Sequence, residues 1–249
     1  MLVSVLMPVY NNIEFLKIAI DSVLSQTHTD IEFIIIDDCS TEPVWDFLHS
    51  YDDSRLVLMQ NKENIGLIAS LNLCLDISTG DYIARQDGDD ISLSTRFEEE
   101  LKLFNTGVHY ISCWAESIDN QGYKRKCKPL DEIMKKPTPI AQQRTFDGLG
   151  SHIVGPAVMY SRNVFEKIGY YDEYLYFSED TNFHIRALRY FNLGIVSKVL
   201  YQHRYNANST RKIHPNRRKN TQGLSWRQFV KNRADKYPII NDKIIFKKD

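Results

Sequence analysis

Short apolar runs rich in β-branched residues alternate with stretches of helical spacing through the first 86 residues, and that alternation leaves few architectures open. Val3 to Val9 is the first such run. Asn11 and Asn12 then offer helix caps, and Ile13, Leu16, Ile20, Val23 and Leu24 recur at helical spacing. Glu32 to Ile36 reads as a second strand that ends in Asp37-Asp38-Cys39-Ser40-Thr41. A strand-helix-strand unit of this length implies parallel strands joined by a right-handed crossover. A third strand at Leu56 to Met59 leads to Asn64-Ile65-Gly66 and a helix through Leu67, Leu71 and Leu75. A fourth strand follows at Tyr82 to Gln86. The first half is therefore predicted to be an α/β layer.

The second half is less regular. Ser94 to Phe104 predicts a helix capped by Ser94, with Phe97, Leu101 and Phe104 on one face. Tyr110 to Ala115 reads as a strand and Asp119-Asn120-Gln121-Gly122 as a turn. Lys124 to Gly150 carries three prolines and scattered charge, the pattern of a long surface loop. Then come a strand near Ala157 to Tyr160, a short helix from Asn163, and an amphipathic helix from about Glu179 to Phe191.

Acidic residues gather where strands end or helices begin, at Asp37-Asp38, at Asp87-Gly88-Asp89-Asp90 and at Glu179-Asp180. Single acids at such places often serve as caps or turn formers. Three in four residues are harder to explain that way, because a cap needs one carboxylate and crowding like charges is costly unless a cation neutralises them. A divalent metal at the carboxyl end of a strand, where open α/β sheets bind ligands, accounts for the cluster. Competing acidic motifs fail: a calcium loop needs an acid or Asn at 91 and Gly at 92, where Ile91 and Ser92 stand. The phosphatase nucleophile motif also breaks at Asp90-Ile91, and neither a G-x-G-x-x-G nor a P-loop is present.

These residues together resemble the family 2 glycosyltransferases of the A-type fold. Val3 to Asn11 is similar to that family's opening strand, and Ile36 to Thr41 resembles its D-D-G-S-T with Cys39 in place of Gly. Asn64-x-Gly66, Ala69, Asn72 and Gly80 to Ile83 match the intervening pattern. Asp87-Gly88-Asp89-Asp90 resembles its D-x-D-D, and Phe177 to Asp180 its late E-D. The resemblance implies a single Rossmann-like, mostly parallel sheet with flanking helices over residues 1–205, with 1–115 holding the nucleotide sugar and 116–205 the acceptor. It implies that Pro8, Val9, Tyr10, Asp38, Gly66, Asp87 and Gly88 bind nucleotide, with Tyr10 stacking on the base and Asp38 accepting from a uracil-like N–H. Asp89 would hold Mn²⁺ or Mg²⁺, and Asp180 would be the general base of an inverting transfer. Glu179, Asp90 and His203 would be supports. The family's late Arg-x-His-x-x-Ser is altered, since Arg204-Tyr205-Asn206 puts Asn206 at the His position. His152 is a weak candidate for the acceptor side.

Charge adds one expectation. Residues 201–249 hold 13 of the 31 basic residues and 3 of the 32 acids, although the whole chain is nearly neutral. Leu224, Trp226, Phe229 and Val230 interleave with the basic residues, so 206–249 is expected to form a basic helical extension. Its plain role is a solvated helix packed on the domain; its sharper one is contact with an anionic membrane surface near a lipid-linked glycan acceptor. Nucleic acid is not expected, because no recognised module accompanies the charge. Cysteines at 39, 74, 113 and 127 form no C-x-x-C pair, and no 18-residue apolar run occurs. A cytoplasmic enzyme, peripheral at most at the inner membrane face, is the expectation. Two other functions stay open: a sugar nucleotidyltransferase, which shares the sheet and metal carboxylates, and a catalytically silent nucleotide-sugar-binding module.

Overall fold

The computed structural model describes residues 1–125, 153–175, 178–205 and residues 231, 232 and 234. In chain order the elements are β1 (Val3–Val9), α1 (Ile13–Leu24), β2 (Ile31–Asp37), α2 (Val44–Leu48), β3 (Leu56–Gln60), α3 (Leu67–Ile77) and β4 (Tyr82–Arg85). After them come β5 (Ile91–Ser92), α4 (Arg96–Phe104), β6 (Tyr110–Ile118), β7 (Val158–Ser161), α5 (Arg162–Ile168), α6 (Glu179–Ala187) and β8 (Leu193–Arg204). The strands form one sheet in the order β3-β2-β1-β4-β7-β6-β8-β5.

The first four strands are all parallel, as their crossovers require. β7 then enters antiparallel between β4 and β6, and β8 returns parallel to β6. The short β5 pairs antiparallel with β8 at the far edge. Residue 115 lies inside β6, so the two expected halves share one sheet.

Side-chain alternation explains how β1 is buried on both faces. Val3, Val5, Met7 and Val9 pack towards Leu16, Ile20 and Val23 of α1 and Phe97 of α4. Leu6 points the other way, into a core with Leu71 of α3, Phe165 of α5 and Phe183 of α6. Helices on both faces make the strands read as nearly continuous apolar runs.

Several local expectations are corrected. Asn11 and Asn12 do not cap α1 with their side chains; both adopt left-handed backbone, φ 57° and 67°. The Asn11 carboxamide oxygen instead accepts from the amides of Thr41 (2.8 Å) and Glu42 (3.1 Å), while the Ile13 amide donates to the Glu42 carboxylate. The fourth helix starts at Arg96, so Ser94 is not its cap. The last amphipathic helix stops at Ala187, and the β6 strand runs on to Ile118. No helix of the described residues is long and apolar enough to cross a membrane. Of the expected basic extension only residues 231, 232 and 234 are described; the rest, like the 126–150 part of the expected loop, lies outside the described residues.

Candidate active site

Parallel pairing brings the carboxyl ends of β1, β2 and β4 to one edge of the sheet. Val9 stands opposite Asp37 on β2, and Leu6 opposite Arg85 on β4. Pro8, Val9 and Tyr10 therefore lie beside Asp38 and the Asp87–Asp90 turn. Tyr10 is 49% exposed. Gly88 lies directly over Val9: a Cβ there would sit 2.9 Å from Val9 Cγ1, so any larger residue would force the turn or the Val9 side chain to shift. All four non-glycine residues with left-handed backbone among the described residues, Asn11, Asn12, Cys39 and Ser178, lie in loops at this edge or at the start of α6. Strained backbone of this kind gathers at functional sites.

Asp38 is buried, and its carboxylate organises the opposite wall. It accepts from Asn61 Nδ2 (2.8 Å) and from the amides of Ile65 (2.9 Å) and Gly66 (2.8 Å). Gly66 is thus tied to Asp38 and starts α3 with φ 88°. Asp37, also buried, accepts from the Ser40 amide and Gln60 Nε2, both at 2.9 Å.

The three carboxylates of the 87–90 turn have three different surroundings. Asp87 is half-buried and bonds Arg85 Nε at 3.1 Å. Asp90 turns inward and accepts the Arg204 amide at 2.6 Å. Burial pushes its carboxyl up to about 7; the nearby His203 opposes that rise, and Asp89 and Asp87 add to it. His203 reaches this place from β8, opposite Ser117 of β6. Asp89 is half-buried, and its backbone carbonyl accepts Arg204 Nε at 2.7 Å. Gln86 Nε2 donates to the carbonyls of Asp87 and Asp90, both at 3.0 Å, closing the turn from below.

Asp180 occupies the first turn of α6, half-buried, with Oδ1 accepting the Thr181 amide at 2.6 Å. Gly155 backs it so closely that a Cβ there would lie 2.7 Å from Asp180 Oδ2. Its neighbour Glu179 is buried and pairs with Arg85 NH1 at 2.8 Å. Burial raises the Glu179 carboxyl, against the pull of Arg85. Arg85 therefore touches both Asp87 and Glu179, joining β4 to α6.

Sequence patterns did not single out Arg85, Arg96, Tyr201 or His184, and touched Arg204 only as the first residue of the altered late motif. Arg204 also donates to the carbonyls of Asp119 (2.7 Å) and Asn120 (3.1 Å) and lies 4.4 Å over the Phe15 ring. Arg96, fully buried, donates to the carbonyls of Arg85 and Val158, both at 3.1 Å, and sits over Tyr201. The Tyr201 hydroxyl accepts the Asp87 amide at 3.3 Å. His184, one turn beyond Asp180, faces the Tyr110 and Tyr160 hydroxyls, and burial lowers its imidazole to about 4, leaving it neutral. An arginine closing an otherwise apolar strand, one residue from the acidic run, was the signal for Arg85. His152 and Asn206 lie outside the described residues.

Among the described residues, no three His, Cys, Asp or Glu side chains converge on one point as a protein-only metal cage. Asp87 faces the Arg85 guanidinium and Asp90 accepts the backbone amide of Arg204, while Asp89 is half-buried in the same turn. A carboxylate such as that of Asp89 is an oxygen donor of the kind Mg²⁺ and Mn²⁺ accept, since these ions complete their shells with water and substrate oxygens. A separate recess of about 380 Å³, lined by Asp81, Tyr82, Phe104, His109 and Arg162, lies at the amino end of β4, away from these groups.

The sequence model described as "Glycosyl transferase family 2" matches residues 4–169. This chain belongs to glycosyl transferase family 2. An uncharacterised glycosyltransferase of Methanocaldococcus jannaschii, MJ1057, is 30% identical over 210 residues, covering 82% of this chain and 70% of its own. The putative glycosyltransferase EpsE of Bacillus subtilis is 44% identical over 111 residues, covering 43% of this chain and 40% of its own. The Escherichia coli enzyme named UDP-Glc:alpha-D-GlcNAc-diphosphoundecaprenol beta-1,3-glucosyltransferase WfaP is 35% identical over 111 residues, 45% of this chain and 44% of its own. The chain thus spans less than half the length of the last two.

Solved structures share the fold at low identity. Staphylococcus aureus TarS 1–349 with UDP superposes with a TM-score of 0.66 at 18% identity, over 83% of this chain and 61% of its own. The mannosyltransferase PcManGT of Pyrobaculum calidifontis with GDP-Man and Mn²⁺ gives 0.63 at 19%, over 83% and 58%. The A-type arrangement of a family 2 transferase, one mixed sheet with flanking helices, is therefore the fold of this chain.

Proposed function

We propose that this family 2 member is an inverting glycosyltransferase that moves a sugar from a nucleotide-diphosphate donor, UDP-linked by preference, to a hydroxyl of a glycan or lipid-linked glycan. The observation that carries the reading is the placement of Asp38, Asp87 and Asp89 at one sheet edge, with Asp180 joined to that edge through Glu179 and Arg85. A base pocket, a phosphate-side carboxylate and a separate proton acceptor are the parts that sugar transfer needs. The relatives point the same way: WfaP is named for a UDP-linked donor and a lipid-diphosphate acceptor, and PcManGT is described with a nucleotide sugar and Mn²⁺.

In this reading the exposed Tyr10 ring stacks on the base. Asp38 shapes the base pocket by fixing the Asn61–Gly66 segment, and its remaining lone pair is available to a base N–H. Asp87 holds the ribose and diphosphate region, and Asp89 would hold Mn²⁺ or Mg²⁺, which when bound would neutralise charge on the diphosphate. Asp180 accepts the proton of the acceptor hydroxyl as its oxygen bonds to the anomeric carbon. The bond from that carbon to the diphosphate oxygen breaks on the opposite face, and its electron pair leaves with the diphosphate. Such a base contributes about 10²- to 10⁴-fold in rate.

The test is a panel of UDP- and GDP-sugars with Mn²⁺, followed by calorimetry and by release of free nucleotide. Wild-type protein should bind one class of donor and release its nucleotide slowly, and Asp89→Ala should lose the Mn²⁺-dependent part of that binding. Pyrophosphate as the product would instead establish a nucleotidyltransferase, and binding without any turnover a silent module.

A further inference from the structure

Arg85 is 5% exposed, and its guanidinium is shared by two carboxylates that belong to different parts of the site. Nε holds Asp87 Oδ1 at 3.1 Å, and NH1 holds Glu179 Oε1 at 2.8 Å. The two partners differ in their freedom to leave. The Asp87 side chain is 30% exposed and can exchange Arg85 for a ligand, whereas that of Glu179 is 7% exposed and cannot. Arg96 fixes the Arg85 backbone by donating to its carbonyl at 3.1 Å, so the fork is aimed from a rigid strand end. Glu179 in turn is the first residue of α6, directly before Asp180.

We propose that Arg85 is a positioning residue that couples donor binding at Asp87 to the placement of the Asp180 end of α6 through Glu179. This rests on the reading of Asp87 as a donor contact. With the donor absent, the two carboxylates divide one buried positive charge. When a bound donor draws Asp87 away, Arg85 is left wholly to Glu179, which fixes the first turn of α6 and the carboxylate of Asp180 beside it. By reciprocity, anything that weakens the Arg85–Glu179 contact tightens Arg85 on Asp87 and works against the donor. A buried ion pair of this kind is poor support for stability in itself, and its place between two carboxylates of the site suits a positional role.

The experiment is a cycle of Glu179→Gln and Arg85→Lys, read by calorimetry of UDP and of GDP, each with Mn²⁺, and by thermal unfolding of every variant. Glu179 is too buried to touch the nucleotide, yet Glu179→Gln is expected to raise the nucleotide Kd by about 5-fold or more, within the usual range of coupling between sites. In the Arg85→Lys background, where the two-pronged contact is gone, the same change should move Kd by less than about 2-fold. A Kd unchanged in folded Glu179→Gln, or raised equally in both backgrounds, overturns the coupling. The single variant decides alone if Arg85→Lys does not fold. Wild-type protein that binds neither nucleotide would overturn the donor reading itself, and that failure shows before any substitution is made.

Discussion

Replacing Gly155 with alanine puts a methyl carbon 2.7 Å from Asp180 Oδ2, 3.0 Å from its Cβ and 3.2 Å from its Cγ. Ordinary contact for such atoms begins near about 3.5 Å, so the carboxylate must retreat by roughly 1 Å or the 155 turn must open by as much. Gly155 does not have left-handed backbone, so alanine meets no torsional penalty and the effect is one of volume alone. Overpacking at a tight site costs about 1–3 kcal/mol of stability, and each kcal/mol lowers Tm by about 2–4 °C in a chain of this size. The larger effect is on chemistry, because a displacement of about 1 Å at a reacting group costs on the order of 10²-fold in turnover. The atoms nearest a Gly155 Cβ all belong to the Asp180 side chain, so the displacement falls on that carboxylate and nucleotide affinity should be preserved. The assay is steady-state nucleotide release with donor and acceptor, paired with calorimetry of the nucleotide. A folded Gly155→Ala protein whose kcat stays within about 3-fold of wild type would refute the claim that Gly155 sets the position of a catalytic Asp180.

Two further outcomes concern stability. Cys39 holds φ 59° at the position where the resembled motif has glycine, and left-handed backbone costs a side-chain-bearing residue about 1–2 kcal/mol. Cys39→Gly should therefore raise Tm by a few degrees even after glycine's added chain entropy, and a lower Tm would show that the thiol contributes more than its strain. Glu100, fully buried beside Arg96, has its carboxyl pushed up to about 7 by burial. A group raised in the folded state favours folding at low pH, and that contribution is lost as pH rises from the unfolded value near 4.5 to about 7. The stability of wild type relative to Glu100→Gln should fall across that window in urea titrations; a difference independent of pH would refute the assignment.

How far the sequence disclosed this molecule depended on the range of each interaction. The parallel half was readable because each strand and helix carries its own period: Val3, Val5, Met7 and Val9 face one core while Leu6 faces the other. Acids at the ends of those strands were readable for the same reason, since parallel strands present their carboxyl ends on one edge. The β5 strand was not, because two residues carry no period and Ile91 finds its partner only at Gln202. Antiparallel β7 was legible as a strand but not as the element that separates β4 from β6. Asn11 and Asn12 looked like caps because their side chains suit that role, yet Asn11 is engaged some 30 residues away, at Thr41. Arg85 shows the same limit at the site: its second partner, Glu179, lies 94 residues further on. Arg96 and Glu100 would be placed on the solvent face of an amphipathic helix by charge alone, and pairing is what allows both to be buried.

The central claim is that Asp180 takes the acceptor proton at a site whose other carboxylates bind the donor. Asp180→Asn keeps the size of the side chain and removes its basicity. With nucleotide affinity measured by calorimetry in Mn²⁺ and transfer measured with the donor found in the panel, Kd should stay within about 2-fold of wild type. Over the same comparison, kcat should fall by about 10²- to 10⁴-fold. Near-wild-type turnover in a folded Asp180→Asn protein would contradict the account.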